Sequence, residues 1–345
     1  MRAASSTGRR RTRGLTLIEL LVAMVIGLVI VLAAVAALTV ARTGFTSVDA
    51  ASQLRDSGRF ASDLIQRIGA QAGYRDVFIA AGVTSTDPAR TPSLGGFNNR
   101  LINPTDPTTI GSARSSGDVG FGSDVLILRY QAAQLYSGAS DPVRAKIADQ
   151  SMIDCAGNTL ATVANPTDTD PTKVADAYNS RVVSIFHVAV NQGEPALMCT
   201  YSATGAAPWT TVPVIQGVEN FQVLFGTDGV VAGAATTAIT VPDVPDRYLR
   251  ADQINVASDL GTKANWRRVR SIRVGMVLRA APGSAQGSAT QTFHPFGEAA
   301  SSGGAAAGSA LASGGDDGTN FTPAADRRLR QVVTFTVHLR NDQSL

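Results

Sequence analysis

One carboxylate, Glu19, stands near the start of an otherwise uncharged apolar run that continues to Val40, directly behind Gly14 and a cluster of arginines at Arg9, Arg10, Arg11 and Arg13. A charge at the centre of a bilayer-spanning helix costs roughly 2.5–3.5 kcal/mol on insertion scales, so Glu19 calls for a cationic partner or for surroundings that are only temporarily lipid. Side-by-side assembly of such helices would supply both. Few other residues could do chemistry. Cys155 and Cys199 are the only cysteines, and His187, His294 and His338 the only histidines. Asp228, Asp243 and Asp246 concentrate oxygen ligands around two turns that follow a strand-like run.

These residues do not add up to a catalytic constellation. The chain has no Gly-x-Ser-x-Gly elbow, no His-Glu-x-x-His pair, no phosphate-cradling Gly-x-x-x-x-Gly-Lys loop and no dinucleotide fingerprint. The chain therefore reads as a non-enzyme. Calcium accepts aspartate and carbonyl oxygens, but Asp228, Asp243 and Asp246 lack the alternating Asp-x-Asp-x-Asp-Gly order of a calcium loop, so the spacing favours turn-forming aspartates and no cofactor. His187 and His338 fall in strand-like runs as structural histidines, and His294 precedes Pro295 in a loop.

The elements that must position Glu19 follow from hydropathy. Residues 20–40 hold no charged side chain; about twenty residues cross a bilayer, whereas the core of a secretory signal is only about 7–15 long. A cleavable signal ending near Ala36 fits less well than a membrane span with its arginines held in the cytoplasm. The five arginines of residues 1–14 also account for the positive balance. Their removal turns the formal net charge of +3 into −2, which withdraws any support for nucleic-acid binding. The same orientation places both cysteines on the oxidising side of the membrane and predicts that they pair. A metal pair or a nucleophile are the alternatives, and three histidines without a Cys-x-x-Cys spacing disfavour zinc. Closing a loop of about 45 residues would stabilise the fold by roughly 3–4 kcal/mol in the chain-entropy model.

Beyond the apolar run, Phe45, Val48, Ala51, Ala61, Leu64, Ile65 and Ile68 recur at helical spacing among Asp49, Arg55, Asp56, Arg59, Asp63 and Arg67. The spacing predicts one helix over 15–70, roughly 80 Å long at 1.5 Å per residue, with a bend at Gly58 and an end at Gly69 and Gly73. From residue 71 the period changes. Val125–Tyr130 reads as a buried strand, and alternating runs follow around Phe186, Phe221, Ile272–Leu278 and Val333–Leu339. Residues 71–345 thus form a predominantly antiparallel β head. Stretches rich in Gly, Pro, Ser, Thr and Asp at about 81–123, 156–177 and 281–325 read as loops, the last as a mobile surface loop unable to offset its ordering entropy.

Gly14-Leu15-Thr16-Leu17-Ile18-Glu19-Leu20 resembles the class III signal of type IV pilins and type II secretion pseudopilins. Further stretches, 123–130, 218–226, 266–274 and Leu339-Arg340-Asn341, resemble the PilW family of minor pilins and span most of the chain. The resemblance implies an α+β, type IV pilin-like fold. It also implies a leader at 1–14 cut between Gly14 and Leu15 by the prepilin peptidase, with methylation of the new N-terminus, and residues 15–40 as the transmembrane and assembly part. The family usually begins its mature chain with Phe where this chain has Leu15. Glu19 would then neutralise a terminal amine and set subunit register. The implied partners are other minor pilins and the major pilin, the inner-membrane assembly platform and a tip adhesin. The implied function is priming of filament initiation from the inner membrane, with the head in the periplasm, and then a place at the pilus tip, serving adhesion and twitching motility. A J-like pseudopilin of type II secretion is the nearest alternative; a membrane-anchored periplasmic binding protein with an uncut leader is the alternative from another class.

Overall fold

An uninterrupted helix, α1, runs over Leu17–Gln71, where branched and long apolar side chains leave no proline to break it. The computed structural model describes residues 14–75, 88, 90–133, 148–160, 181–236, 244–287, 289–298, 316 and 318–341. The chain divides into two compact units at Asp49/Ala50. In the first unit the apolar residues of α1 are exposed almost throughout, from Leu17 at 79% to Val40 at 71%. This stretch is long and apolar enough to cross a membrane.

The second unit begins where α1 becomes amphipathic. Leu54, Ala61, Leu64, Ile65 and Ile68 are buried in one cluster with residues of two antiparallel sheets. The first sheet runs in the order β1 (Leu94–Phe97), β4 (Val125–Tyr130), β5 (Val182–Asn191), β6 (Glu194–Ser202) and β7 (Thr210–Gln216). The second has the order β11 (Arg330–His338), β10 (Val269–Arg279), β8 (Val218–Thr227) and β9 (Arg247–Leu249). β2 (Arg100–Ile102) and β3 (Ile110–Ala113) form a separate two-stranded ladder, with Ile102 packed against Val125, Ile127, Val183 and Ile185 of the first sheet. Helices α2 (Ala251–Ile254) and α3 (Asp259–Trp266) lie between β9 and β10, α3 being capped by Ser258, whose hydroxyl accepts from the Gly261 N–H.

Alternation decides which side of each strand meets the helix. Ile272, Val274, Met276 and Leu278 of β10 and Phe221, Val223 and Phe225 of β8 enter the main cluster. Leu224 instead packs with Phe296 on the opposite face. On β4, Leu126, Leu128 and Tyr130 point to the main cluster, while Val125 and Ile127 join Val183 and Ile185 on the other side. Each such aliphatic side chain contributes about 1.5–3 kcal/mol on burial.

Three sequence expectations change. Gly58 and Gly69 lie inside α1 as contact points: a Cβ on Gly58 would stand 2.7 Å from Val333 Cγ2, and one on Gly69 2.7 Å from Val337 Cγ1. The helix ends after Gln71, with Gly73 at φ +77°. The 81–123 stretch, expected as loop, carries β1, β2 and β3, because β1 presents two glycines to β4 and pairs with it at Leu94–Leu128 to Phe97–Val125. The described flanks of 281–325 are packed rather than free. Phe293 and Phe321 form an antiparallel bridge, the Pro295 carbonyl accepts the Thr334 hydroxyl at 2.5 Å, and Phe296 is buried. Residues 299–315 lie outside the described residues.

An ionic network ties the ends of these strands. Arg279 reaches Glu194 at 2.7 Å and Glu219 at 2.8 Å, Arg330 reaches Glu219 at 2.6 Å and Asp326 at 2.7 Å, and Arg328 reaches Glu194 at 2.8 Å. Hydrogen bonding from Arg328 leads the effects that hold the Glu194 carboxyl down to about 2.

Candidate functional site

The N-terminal end of α1 carries the chemistry. Gly14 and Leu15 precede the helix, and Leu15 is 77% exposed, so the Gly14–Leu15 bond lies in open chain rather than in a helical turn. Thr16 sits at the cap. Its N–H and its hydroxyl both donate to Glu19 Oε2 at 2.9 Å, and its Oγ1 accepts from the Glu19 N–H at 3.4 Å. This is a reciprocal capping box of the Thr-x-x-Glu spacing. Glu19 therefore has a second task besides any subunit contact: it satisfies donors at the helix start, which would otherwise be orphaned. Hydropathy alone presents Glu19 only as a charge awaiting a partner. The Thr16-x-x-Glu19 spacing was the signal that could have shown the cap.

The cysteines meet as expected. Cys155 and Cys199 form a disulfide with their Cα atoms 5.6 Å apart, across 44 positions of sequence. It joins the turn between bridged Ile153 and Thr159 to β6. A buried polar set holds that turn. Gln71 donates through Nε2 to the Ile153 carbonyl at 2.9 Å and accepts from its N–H at 3.0 Å, pairing with it as a neighbouring strand would. Tyr130 donates to the same carbonyl at 2.8 Å. Ser184 Oγ accepts from the Cys155 N–H at 3.1 Å. The last residue of α1, the core tyrosine and the disulfide thus form one unit, which no local motif announced.

The aspartates take structural places. The Asp246 N–H donates to the Thr227 carbonyl at 2.9 Å, and Asp246 Oδ1 accepts from the Gly229 N–H at 3.3 Å. The turn holding Asp228 and the Asp246 segment are thereby adjacent. Arg247 pairs with Asp246 at 3.0 Å and Arg268 donates to the Asp228 carbonyl at 3.2 Å. Asp243 lies outside the described residues. Among the described residues no three His, Cys, Asp or Glu side chains cluster as a metal site would require. His187 is buried, hydrogen-bonds Thr200 Oγ1 at 2.9 Å, and is pushed down to about 4, chiefly by burial. His294 pairs with Asn320 at 2.9 Å and His338 is exposed on β11.

Comparison with known proteins adds three findings. The family model of the type IV pilus-assembly protein W matches residues 185–341, from within β5 to just past β11. The model of the prokaryotic N-terminal methylation motif matches residues 9–35, which include Gly14, Leu15 and Glu19. Among solved structures, a type IV-like pilin from Thermus thermophilus is similar at 13% identity with a TM-score of 0.34, over 83% of this chain and 96% of that chain. No curated protein sequence matches.

Proposed function

Since this chain is a type IV pilus minor pilin of the PilW family, we propose that it primes filament initiation at the inner membrane and then stays in the complex at the pilus tip, with a structural rather than catalytic role. The observation that carries this reading is the methylation motif over 9–35, whose Gly14–Leu15 junction is exposed immediately ahead of an apolar helix. In this reading the prepilin peptidase cuts after Gly14 and methylates Leu15. The mature α1 stays in the inner membrane with the β head in the periplasm until other pilins pack against it.

Glu19 is then the residue that ties insertion to assembly. While the subunit waits in the membrane, the Thr16 donors occupy its carboxylate. When subunits pack, the new terminal amine of this chain or a neighbour's supplies the opposite charge in an apolar core. Removing one partner of a buried pair typically costs about 3–5 kcal/mol, because the other charge is left uncompensated. The test has two parts. Intact mass and N-terminal sequencing with and without the peptidase should give a start at Leu15 bearing a methyl increment. Glu19→Ala should leave the protein processed and membrane-inserted but reduce recovery of the minor-pilin complex and piliation. Normal piliation by that variant at normal expression counts against the register role. Dependence of a secretion filament, rather than a pilus, on this chain would favour the J-like pseudopilin reading instead.

A further inference from the structure

The face of the second sheet turned away from α1 meets a cleft that filament assembly leaves without a task. Asn220 and Gln222 share the alternation of Leu224 on β8 and so lie on this face. Beside them a cleft of about 690 Å³ opens between the β3–β4 connection at 116–121 and the segment 318–326 that leads into β11. Glu219, Arg279 and Arg330 line one end of it. With Glu194, Asp326 and Arg328 they make a closed ring, in which each guanidinium meets two carboxylates and each carboxylate two guanidiniums. That end therefore offers no spare charge of either sign. Half-buried Phe121 and Phe321 supply apolar surface, and Asp118, Asn320 and Thr322 supply polar groups at the rim. Asp118 Oδ2 accepts the Ser115 N–H at 2.7 Å, whereas its Oδ1 makes no hydrogen bond among the described residues. A second observation lies behind the cleft wall. The Asn220 side chain is fully buried, and neither of its amide atoms, nor Gln222 Oε1, has a hydrogen-bond partner among the described residues. Only Gly318, at φ +87°, stands between these amides and the cleft, since a Cβ there would lie 2.8 Å from Asn220 Nδ2. Buried amides are ordinarily paired, so these keep a donor and acceptors in reserve directly behind a wall that carries no side chain.

We propose that this cleft binds a short neutral oligosaccharide. Sugar hydroxyls donate and accept at once, which suits the free oxygen of Asp118, the rim groups of Asn320 and Thr322 and, as Gly318 yields, the amide of Asn220. The C–H faces of pyranose rings suit Phe121 and Phe321. The closed ionic ring gives an anionic glycan or a basic peptide no unpaired partner at that end of the cleft, so recognition runs through hydrogen bonds and ring stacking rather than through charge. The volume falls in the ordinary range of small-molecule clefts, about 300–1,000 Å³. The inference stands on the β head alone and does not depend on how the N-terminus is processed.

The experiment uses the full chain, purified in a detergent without sugar headgroups. Saturation-transfer NMR and calorimetry are run with lactose, mannobiose and N,N′-diacetylchitobiose as neutral probes, and with 3′-sialyllactose and trilysine as charged ones. At least one neutral probe should bind, with an affinity that changes less than about twofold between low and high salt. Binding of lactose or mannobiose points to glycans of a foreign surface, and binding of diacetylchitobiose to the glucosamine chains of a cell wall. Asp118→Ala should weaken binding roughly threefold to tenfold, as expected for loss of one exposed hydrogen bond to a charged group. Asn220→Leu, which removes both amide atoms at nearly equal volume, should weaken it by a similar factor. Melting temperature and the Cys155–Cys199 disulfide verify the fold of each variant, and if Asn220→Leu does not fold, Asp118→Ala decides. Absence of any neutral binder, binding confined to sialyllactose or trilysine, or full affinity in a folded variant overturns the proposal.

Discussion

His187 shows how one buried group sets a pH limit. Its imidazole is buried on β5 and hydrogen-bonded to Thr200 of β6, and burial lowers it from 6.5 to about 4. The unfolded chain therefore takes up a proton near pH 6.5 that the folded chain refuses until about pH 4. Stability is fully present above 6.5 and falls as pH drops from there towards 4. Thermal unfolding of the detergent-solubilised chain should show this decline, and His187→Gln, which can keep a hydrogen bond to Thr200, should flatten it. An unchanged slope in the variant would assign the decline to other groups. Glu194 has the opposite place on the scale: its lowered carboxyl keeps its stabilising effect above about pH 4.5 and loses it only towards 2. The two windows meet at about pH 4–4.5, His187 acting mainly above it and Glu194 below.

At the scale of elements, the packing of α1 on the second sheet depends on what the helix lacks. Gly58 and Gly69 let Val333 and Val337 approach to a distance that no Cβ would permit. Alanine is normally worth about 1 kcal/mol over glycine in a helix interior, but overpacking typically costs about 1–3 kcal/mol. Gly58→Ala should therefore destabilise the wild-type protein, and the sign should reverse in a Val333→Ala background, where the methyl meets a smaller neighbour. Gly44→Ala, with nothing within 4 Å of the new Cβ, should not destabilise. Melting temperatures of the four variants and the parent decide it. Additive effects of Gly58→Ala and Val333→Ala would show that the close approach does not govern this interface.

Over the whole molecule, the disulfide holds together segments that local forces would not. It joins a short turn around Asp154 to β6, next to Gln71 at the end of α1 and Tyr130 of β4. The entropic model gives roughly 3–4 kcal/mol for a loop of this length. Cys155→Ser with Cys199→Ser should lower unfolding stability by about that amount, measured by denaturant unfolding, and reduction of the wild-type protein should reproduce the loss. A difference under about 1 kcal/mol would mean that the Gln71 and Tyr130 hydrogen bonds suffice. The ionic network of Glu194, Glu219, Arg279, Arg328 and Arg330 does comparable joining at the far ends of β10 and β11, through partners up to 134 positions apart in sequence.

What the sequence determined by itself was periodic or local. The apolar run of α1, the alternation of Ile272–Leu278 and Val333–Leu339, and the Gly14–Glu19 junction can be read because each residue's role depends on neighbours a few positions away. The pairing of Cys155 with Cys199 was also legible, since a chain with two cysteines offers each of them a single partner. Tertiary structure alone decided the rest. Gly58 and Gly69 could be read as bend and stop until Val333 and Val337 were found against them. The Gly-rich stretch before Phe97 became a strand because β4 offered it an edge, and the flanks of 281–325 were held by Pro295 and Phe296 lying on the second sheet. The physical reason is common to all three. Small and polar residues carry little local preference, so their conformation is set by surfaces that the chain brings to them from far away in sequence.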